Sequence, residues 1–189
     1  MPDMSSPWLA HHFLIAMPAM VDPHFAGTVT YLIAHDPEHA FGLVINKPSG
    51  MRLNEVLEQM DVQTALPDVA AQPIWNGGPV HPERGLVLHE KTARWDSSME
   101  VTPELMLTTS RDVLVAMAEG RGPRRALVAL GHAGWGPGQL EQELLANAWL
   151  TVPATPELLF QVPAEERWQR AIGRLGIDPL RLTGYAGHA

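Results

Sequence analysis

A run of glycines between an apolar segment and an amphipathic segment is the part of the sequence best suited to bind a small molecule. It reads Gly131-His132-Ala133-Gly134-Trp135-Gly136-Pro137-Gly138. Glycine lets a backbone approach a ligand closely, and the first turn of a helix presents free N–H groups and a partial positive charge. Loop 131–139 is therefore a candidate site for a small anion. Its candidate residues are His132, Gly134, Trp135, Gly136, Gln139 and Glu143.

The spacing of these glycines differs from two established phosphate-binding motifs. Gln139 occupies the third glycine position of a dinucleotide fingerprint, and no Gly-Lys-Ser/Thr sequence ends the loop. The alternative interpretation is a tight turn whose glycines pack against neighbouring elements. A second glycine turn follows Asn76, and it could meet the first at one edge of a sheet. The remaining candidate binding residues are Asn46, Asn76, Gly77 and Gly78.

Neither the nine histidines nor the acidic residues form a complete catalytic or metal-binding pattern. His35 and His39 have the i, i+4 spacing of a helical zinc pair, but Pro37 between them opposes a helix. Glu141 and Glu143 are two apart on a predicted helix, so they face different directions, and we expect Glu141 on the helix surface. We predict no catalytic residue, no metal and no cofactor, which favours a function without catalysis.

Short apolar segments bounded by glycine and proline predict strands. We expect strands over 13–17, 28–33, 41–45, 85–89, 126–130 and 157–162, with one or two more between 99 and 108. The second and third of these form a hairpin, with His35 to His39 in its loop.

Apolar residues at i, i+3, i+4 and i+7 predict helices over 53–60 and 168–175. A third helix is expected over 139–150, where Gln139, Glu143 and Asn147 form a polar stripe. A fourth begins at Thr109, which is expected to cap it with Asp112 in the capping-box position.

Four motifs together resemble the YqgE/AlgH family of uncharacterised bacterial proteins. They are Phe13-Leu14-Ile15-Ala16-Met17-Pro18, Gly42-Leu43-Val44-Ile45-Asn46-Lys47-Pro48, Asn76-Gly77-Gly78-Pro79-Val80, and the glycine-rich segment 131–138 continued by Gln139-Leu140-Glu141-Gln142-Glu143. The resemblance implies an α+β fold in which helices surround a bent, mixed sheet with a barrel-like part. It implies no established enzymatic activity, and descriptions of the family range from uncharacterised protein to transcriptional regulator. The family more often has tyrosine at position 132.

The composition indicates one globular domain spanning residues 1–189, with 46% hydrophobic and 18% charged residues. The absence of cysteine excludes disulfides, thiolate metal sites and a cysteine nucleophile. The first 20 residues lack the pattern of a signal peptide, and no apolar run approaches the roughly 20 residues that span a bilayer. We therefore expect a cytoplasmic protein that does not enter a membrane.

The net charge of −8 opposes broad attraction to nucleic acid. Arginines 121, 124 and 125 nevertheless fall close together, and we interpret them as a solvated turn between a helix and a strand.

These observations leave three functions open. The favoured one is a binding or regulatory protein that acts through a protein partner, whose footprint would be an exposed apolar patch. The second is a small-molecule or anion-binding protein, or an enzyme, that uses loop 131–139. The third is a transcriptional regulator that binds DNA directly, with a steep dependence of affinity on salt.

Overall fold

The computed structural model describes residues 8–184, where short helices separate the strands of an extensive sheet. The ten strands in this range are β1 (His12–Ala16), β2 (Val29–His35), β3 (Ala40–Val44), β4 (Pro48–Arg52), β5 (Pro73–Asn76), β6 (Val80–Glu90), β7 (Ser98–Thr102), β8 (Leu105–Thr108), β9 (Ala126–Trp135) and β10 (Trp149–Pro153). The seven helices in the same range are α1 (Leu53–Gln59), α2 (Pro67–Ala70), α3 (Asp112–Ala118), α4 (Gln139–Leu145), α5 (Pro156–Phe160), α6 (Ala164–Gly173) and α7 (Pro179–Gly184).

The strands form one sheet that curls into a half-barrel. Eight strands follow the order β10-β1-β2-β3-β9-β6-β8-β7, and every neighbouring pair in that path is antiparallel. β5 pairs antiparallel with β4 and parallel with β9, which makes the sheet mixed. The expected α+β class, with a bent mixed sheet and surrounding helices, is confirmed.

Different helices cover the two faces of the sheet. Because side chains alternate across a strand, one face collects Phe13, Ile15 and Tyr31, which belong to the same core as Leu159 of α5 and Ile172 of α6. On the opposite face, α1 and α3 pack against β5, β6 and β9. α4 covers β1, β2 and β3 on that opposite face.

Two sequence predictions for the C-terminal third are wrong. Residues 157–162 do not form a strand, because Pro156 begins helix α5 and the short run Leu158-Leu159 is buried from one side of that helix. The helix expected over 139–150 ends at Leu145, because Asn147 adopts a φ of +58° and the chain then enters β10. Trp149 and the residues after it pair with β1 instead.

The predicted start of the helix at Thr109 is also wrong. α3 begins after Arg111, and no side chain caps it. Asp112 accepts hydrogen bonds from the Ser110 hydroxyl at 2.5 Å and from the Asp96 backbone N–H at 2.8 Å. Its carboxylate therefore holds the 96–98 turn against the helix. Across residues 8–184, no helix is long and apolar enough to cross a bilayer.

Candidate functional site

The glycine-rich segment is mostly strand. β9 continues from Ala126 through Gly131 to Trp135, so the predicted loop shrinks to residues 136–138 before α4. The strand continues because its second half pairs with β3, as Phe41 with Gly134 and Gly42 with Ala133. The expectation of a ligand loop over 131–139 is corrected accordingly.

The two glycine motifs meet, and their glycines serve close backbone packing. The Gly77 N–H donates to the Leu130 carbonyl at 2.9 Å. A Cβ on Gly77 would lie 2.3 Å from the Gly131 oxygen, and one on Gly78 would lie 2.2 Å from the His132 carbonyl carbon. Nothing larger than hydrogen fits at either position, so the contact between the motifs has no room for a ligand.

Three predicted site residues are joined to one another by hydrogen bonds. Trp135 donates its indole N–H to Glu143 Oε2 at 2.7 Å, and Trp149 donates to the same oxygen at 3.0 Å. Gln139 accepts from the Gly136 N–H at 3.1 Å and donates to Glu143 Oε1 at 3.5 Å. The polar groups predicted to hold a ligand are therefore bonded to their own neighbours.

The two predicted asparagines lie apart from this cluster. Asn46 accepts from the Val29 N–H at 2.8 Å and donates to the Gly27 carbonyl at 3.0 Å, so its amide fastens the entry of β2. Asn76 ends β5 with an exposed side chain, and its backbone N–H donates to Lys47.

Glu141 lies at the helix surface, as expected, with 37% of its side chain exposed, and its carboxylate has a buried partner. Its Oε1 accepts a hydrogen bond from His35 Nε2 at 2.6 Å, and the His35 ring is buried. His35 Nδ1 in turn accepts from the Leu9 backbone N–H at 2.9 Å, which places the ring proton on Nε2. A hydrogen bond from its own backbone N–H, and then the His35 ring, lower the pKa of the Glu141 carboxyl.

His35 and His39 have different partners, because His39 Nδ1 lies 3.1 Å from Asp36 Oδ1. Over the described part of the chain, no three histidine, aspartate or glutamate side chains converge to hold a metal.

One imidazole–hydroxyl chain is built into the sheet. The fully buried His89 accepts from the Thr108 hydroxyl at 2.7 Å through Nε2 and donates from Nδ1 to the Glu90 carbonyl at 2.8 Å. Ser98 Oγ lies 2.7 Å from the Thr108 hydroxyl. Thr108 is also fully buried. Its hydroxyl is therefore part of a structural hydrogen-bond network and is not available as an exposed nucleophile.

A groove of about 660 Å³ opens on the face of the sheet that carries α5 and α6. Ile33, Phe41, Leu86 and Leu107 form its floor and belong to the same hydrophobic core as those helices. None of the described helices contributes a residue to the groove. The volume lies within the range of small-molecule sites, about 300–1,000 Å³.

The rim of the groove is polar and carries no carboxylate among its lining residues. The rim residues are His39, Arg84, Gly85, Met99, Thr109 and His132. The described residues include no carboxylate that forms an ion pair with Arg84. A positive guanidinium beside an apolar floor suits a molecule with an apolar body and an anionic group.

A bulge in β6 brings Arg84 to this rim. Val80 pairs with His132 and Gly85 pairs with Leu130, so residues 81–84 lie opposite Gly131 alone. His81, which adopts a φ of +46°, turns the chain out of the sheet. The bulge thereby places Arg84 at the rim of the groove.

Of the predicted site residues, only His132 lines the groove. Its ring lies 4.8 Å from that of Phe41 and 6.0 Å from that of His81, measured between centroids. Burial lowers the pKa of His132, and the nearby His81 and Arg84 lower it further. The ring is therefore neutral at pH 7 and can donate or accept a hydrogen bond at the rim.

The sequence analysis missed Arg84 and the four floor residues. Ile33 and Phe41 stood inside predicted strands, where alternation marks them as inward-facing. The sequence of each strand does not show where the helices pack. In the structure the helices leave this end of the sheet face uncovered.

Comparison with known proteins decides the family. A family model described as AlgH-like matches residues 13–180. The chain belongs to the AlgH-like family. The UPF0301 protein Smlt1098 of Stenotrophomonas maltophilia (strain K279a) is 54% identical over 180 residues, which cover 95% of this chain and 96% of that protein. The UPF0301 protein XfasM23_1361 of Xylella fastidiosa (strain M23) is 53% identical over 189 residues, 100% and 99% of the two chains.

Solved structures of similar proteins share the fold. The solution structure of the AlgH protein from Pseudomonas aeruginosa matches with a TM-score of 0.81 and 52% identity, covering 100% of both chains. The crystal structure of protein DIP2367 from Corynebacterium diphtheriae matches with a TM-score of 0.69 and 24% identity, covering 97% of this AlgH-like chain and 93% of the other. The family resemblance drawn from the four motifs is confirmed.

Proposed function

We propose that this AlgH-like protein binds a small molecule with an apolar body and an anionic group in the groove above Ile33, Phe41, Leu86 and Leu107. The observation that carries the proposal is the composition of the groove lining, which among the described residues includes no carboxylate and joins an apolar floor to an arginine that forms no direct ion pair. Burial of the apolar body would supply most of the affinity, at roughly 25 cal/mol per Å². Arg84 would fix the orientation of the anionic group.

Binding is tested with an anilinonaphthalene sulfonate dye, which combines an aromatic body with a sulfonate and fluoresces when it leaves water. We expect saturable binding to the folded protein at pH 7. Arg84→Gln should weaken this binding about tenfold, since a hydrogen bond to a charged group contributes about 1.5–3 kcal/mol. Phe41→Ala should also weaken binding, because Phe41 forms part of the apolar floor.

The matched control is Arg174→Gln, which removes the same charge from an exposed site at the C-terminal end of α6, outside the groove lining. Its affinity for the dye should equal that of the unmodified protein. Dye binding that survives both Arg84→Gln and Phe41→Ala would refute the proposed site.

A protein partner is the second candidate, and the free edge of β7 favours it. In the described sheet β7 pairs with β8 alone, and Met99 of β7 is 52% exposed at the rim of the groove. An extended peptide could add a strand beside β7 and insert an apolar side chain into the groove. Val101→Pro would remove a backbone donor from β7, so it should abolish capture of such a peptide while the dye still binds.

Direct DNA binding is not part of the proposal, because the net charge of −8 opposes it.

A further inference from the structure

The guanidinium of Arg167 is buried without a counter-charge. Arg167 lies on α6 and is 3% exposed. Its Nε donates to the Val162 carbonyl at 2.8 Å, Nη1 donates to the Ile45 carbonyl, and the charged group stacks 4.5 Å from the centre of the Trp75 ring. These partners are all neutral. Among residues 8–184 no carboxylate forms an ion pair with Arg167, and Nη2 has no hydrogen-bond partner.

A buried cation without a counter-charge destabilises the fold, so an anion bound beside Arg167 would relieve this cost. Burial lowers the pKa of Arg167 to about 10. The group is still charged at pH 7, because that value lies well above neutrality. An anion placed against Nη2 would supply the missing counter-charge, and Nη2 has two N–H donors available for it.

Arg167 lines a crevice of about 210 Å³ that contains two further arginines. Arg124 and Arg125 reach it from the turn between α3 and β9, and both are exposed. The Arg125 guanidinium lies 2.9 Å from the side-chain amide of Gln161, which holds it near the crevice. The remaining lining residues are Gln72, Pro73, Trp75, Ala126, Leu127 and Phe160. Within residues 8–184 no acidic side chain lines this space, although the chain as a whole is acidic.

We propose that this crevice is a binding site for the phosphate group of a small phosphate monoester, held by Arg124, Arg125 and Arg167. A guanidinium matches the oxygens of phosphate in a bidentate fork, and three of them supply at least the positive charge that a dianion needs. The crevice has space for the phosphate and a compact organic group beside Phe160. The sequence analysis interpreted the turn that carries Arg121, Arg124 and Arg125 as solvated. In the structure Arg121 pairs with Glu119, whereas Arg124 and Arg125 line the crevice.

This site is separate from the groove and does not depend on the proposed function. The two have no lining residue in common. Loss of one binding activity would therefore leave the other intact.

The proposal is tested by titrating inorganic phosphate and phenyl phosphate into the full chain at pH 7, with sodium chloride at matched ionic strength as the reference. Tryptophan indole resonances report the location, since the chain has six tryptophans and only Trp75 lines the crevice. We expect saturable binding of both phosphates, tighter for phenyl phosphate, with the largest shift at Trp75. The double variant Arg124→Gln/Arg125→Gln should bind at least tenfold more weakly.

Arg121→Gln/Arg174→Gln is the matched control, because it removes the same total charge from exposed positions outside the crevice. It should bind phosphate as the unmodified protein does.

Arg167→Lys, which keeps the charge but loses the fork, should weaken phosphate binding without altering dye fluorescence in the groove. Equal effects of phosphate and chloride, or undiminished binding by the Arg124→Gln/Arg125→Gln variant, would overturn the proposal. Loss of phosphate binding in Arg84→Gln would show that phosphate binds in the groove, and this result would also overturn the proposal.

Discussion

Gly78 and Gly131 approach each other so closely that a Cβ on Gly131 would lie 2.3 Å from the Gly78 carbonyl oxygen. Gly131 also has a φ of +76° and Gly78 a φ of +146°, values that side chains rarely permit. This contact joins the turn after β5 to the middle of β9. Both glycine motifs are thus explained by one packing requirement at the centre of the sheet.

We expect Gly131→Ala to lower the free energy of unfolding by about 3 kcal/mol, because overpacking and a left-handed backbone both oppose the new methyl group. Gly136→Ala, in the same motif, should change it by less than about 0.5 kcal/mol, since its Cβ would meet nothing within 4 Å. Urea denaturation measures both. Equal stability of the two variants would show that the backbone can separate freely at Gly131.

Removal of the Glu143 carboxylate should destabilise the protein, because two indole N–H groups share it as an acceptor. We expect Glu143→Ala to cost about 1.5–3 kcal/mol, the range for hydrogen bonds to a charged group. The control is Gln142→Ala on the exposed side of the same helix, which should cost less than about 0.5 kcal/mol. Chemical denaturation distinguishes them, and a cost for Glu143→Ala no larger than the control would contradict the role given to the carboxylate.

Stability should fall as the pH drops below about 6.5, in part because of His89. Burial lowers the pKa of His89 from 6.5. Between its folded and unfolded pKa values the unfolded chain therefore binds a proton that the folded protein does not, so unfolding is favoured as the pH falls through this window. Above about 6.5 the effect is absent, since the ring is neutral in both states.

Denaturation measured from about pH 5 to pH 7.5 should show a shallower slope for His89→Gln than for the unmodified protein. Some slope will remain, because burial also lowers the pKa of His11 and His132. Gln142→Ala, at an exposed position that carries no titratable group, should leave the slope unchanged. An identical slope for His89→Gln would rule out this contribution.

Asn147 occupies a left-handed turn that a branched side chain should not tolerate. Its φ is +58°. We expect Asn147→Gly to be neutral or slightly stabilising and Asn147→Val to cost about 1–2 kcal/mol. Ala146→Val tests the adjacent exposed position, where φ is −80°, and should cost much less. Thermal unfolding of the three variants gives the comparison, and similar midpoints for Asn147→Val and Ala146→Val would contradict the explanation.

Elements with a clear local pattern could be predicted from the sequence. The strands at 13–17, 28–33 and 41–45 correspond to β1, β2 and β3, and the apolar stripe from Leu53 predicted α1. In these elements the apolar residues recur with the period of a strand or a helix, because one side of the element is buried. The sequence therefore predicts both the type of element and its buried side.

Long-range pairing and short ambiguous runs account for the errors. Gly131 to Trp135 look like a loop because glycine has low strand propensity, yet β3 and β6 supply backbone partners from far along the chain. The run at 157–162 is too short for its period to distinguish strand from helix. The groove was missed for a related reason, since its lining comes from β2, β3, β6, β7, β8 and β9 together with the residues that flank them.

The adjacency of β1 and β10 constrains when the protein can fold during its synthesis. His12 pairs with Pro153 and Ala16 with Trp149, so the outer edge of β1 remains without its partner until most of the chain has left the ribosome. An unpaired, fully apolar strand such as Phe13-Leu14-Ile15-Ala16 is a template for wrong pairing during that interval. The pairing of β1 with β10 therefore closes late in synthesis, and slow translation ahead of β10 would prolong the interval in which the β1 edge is open to wrong pairing.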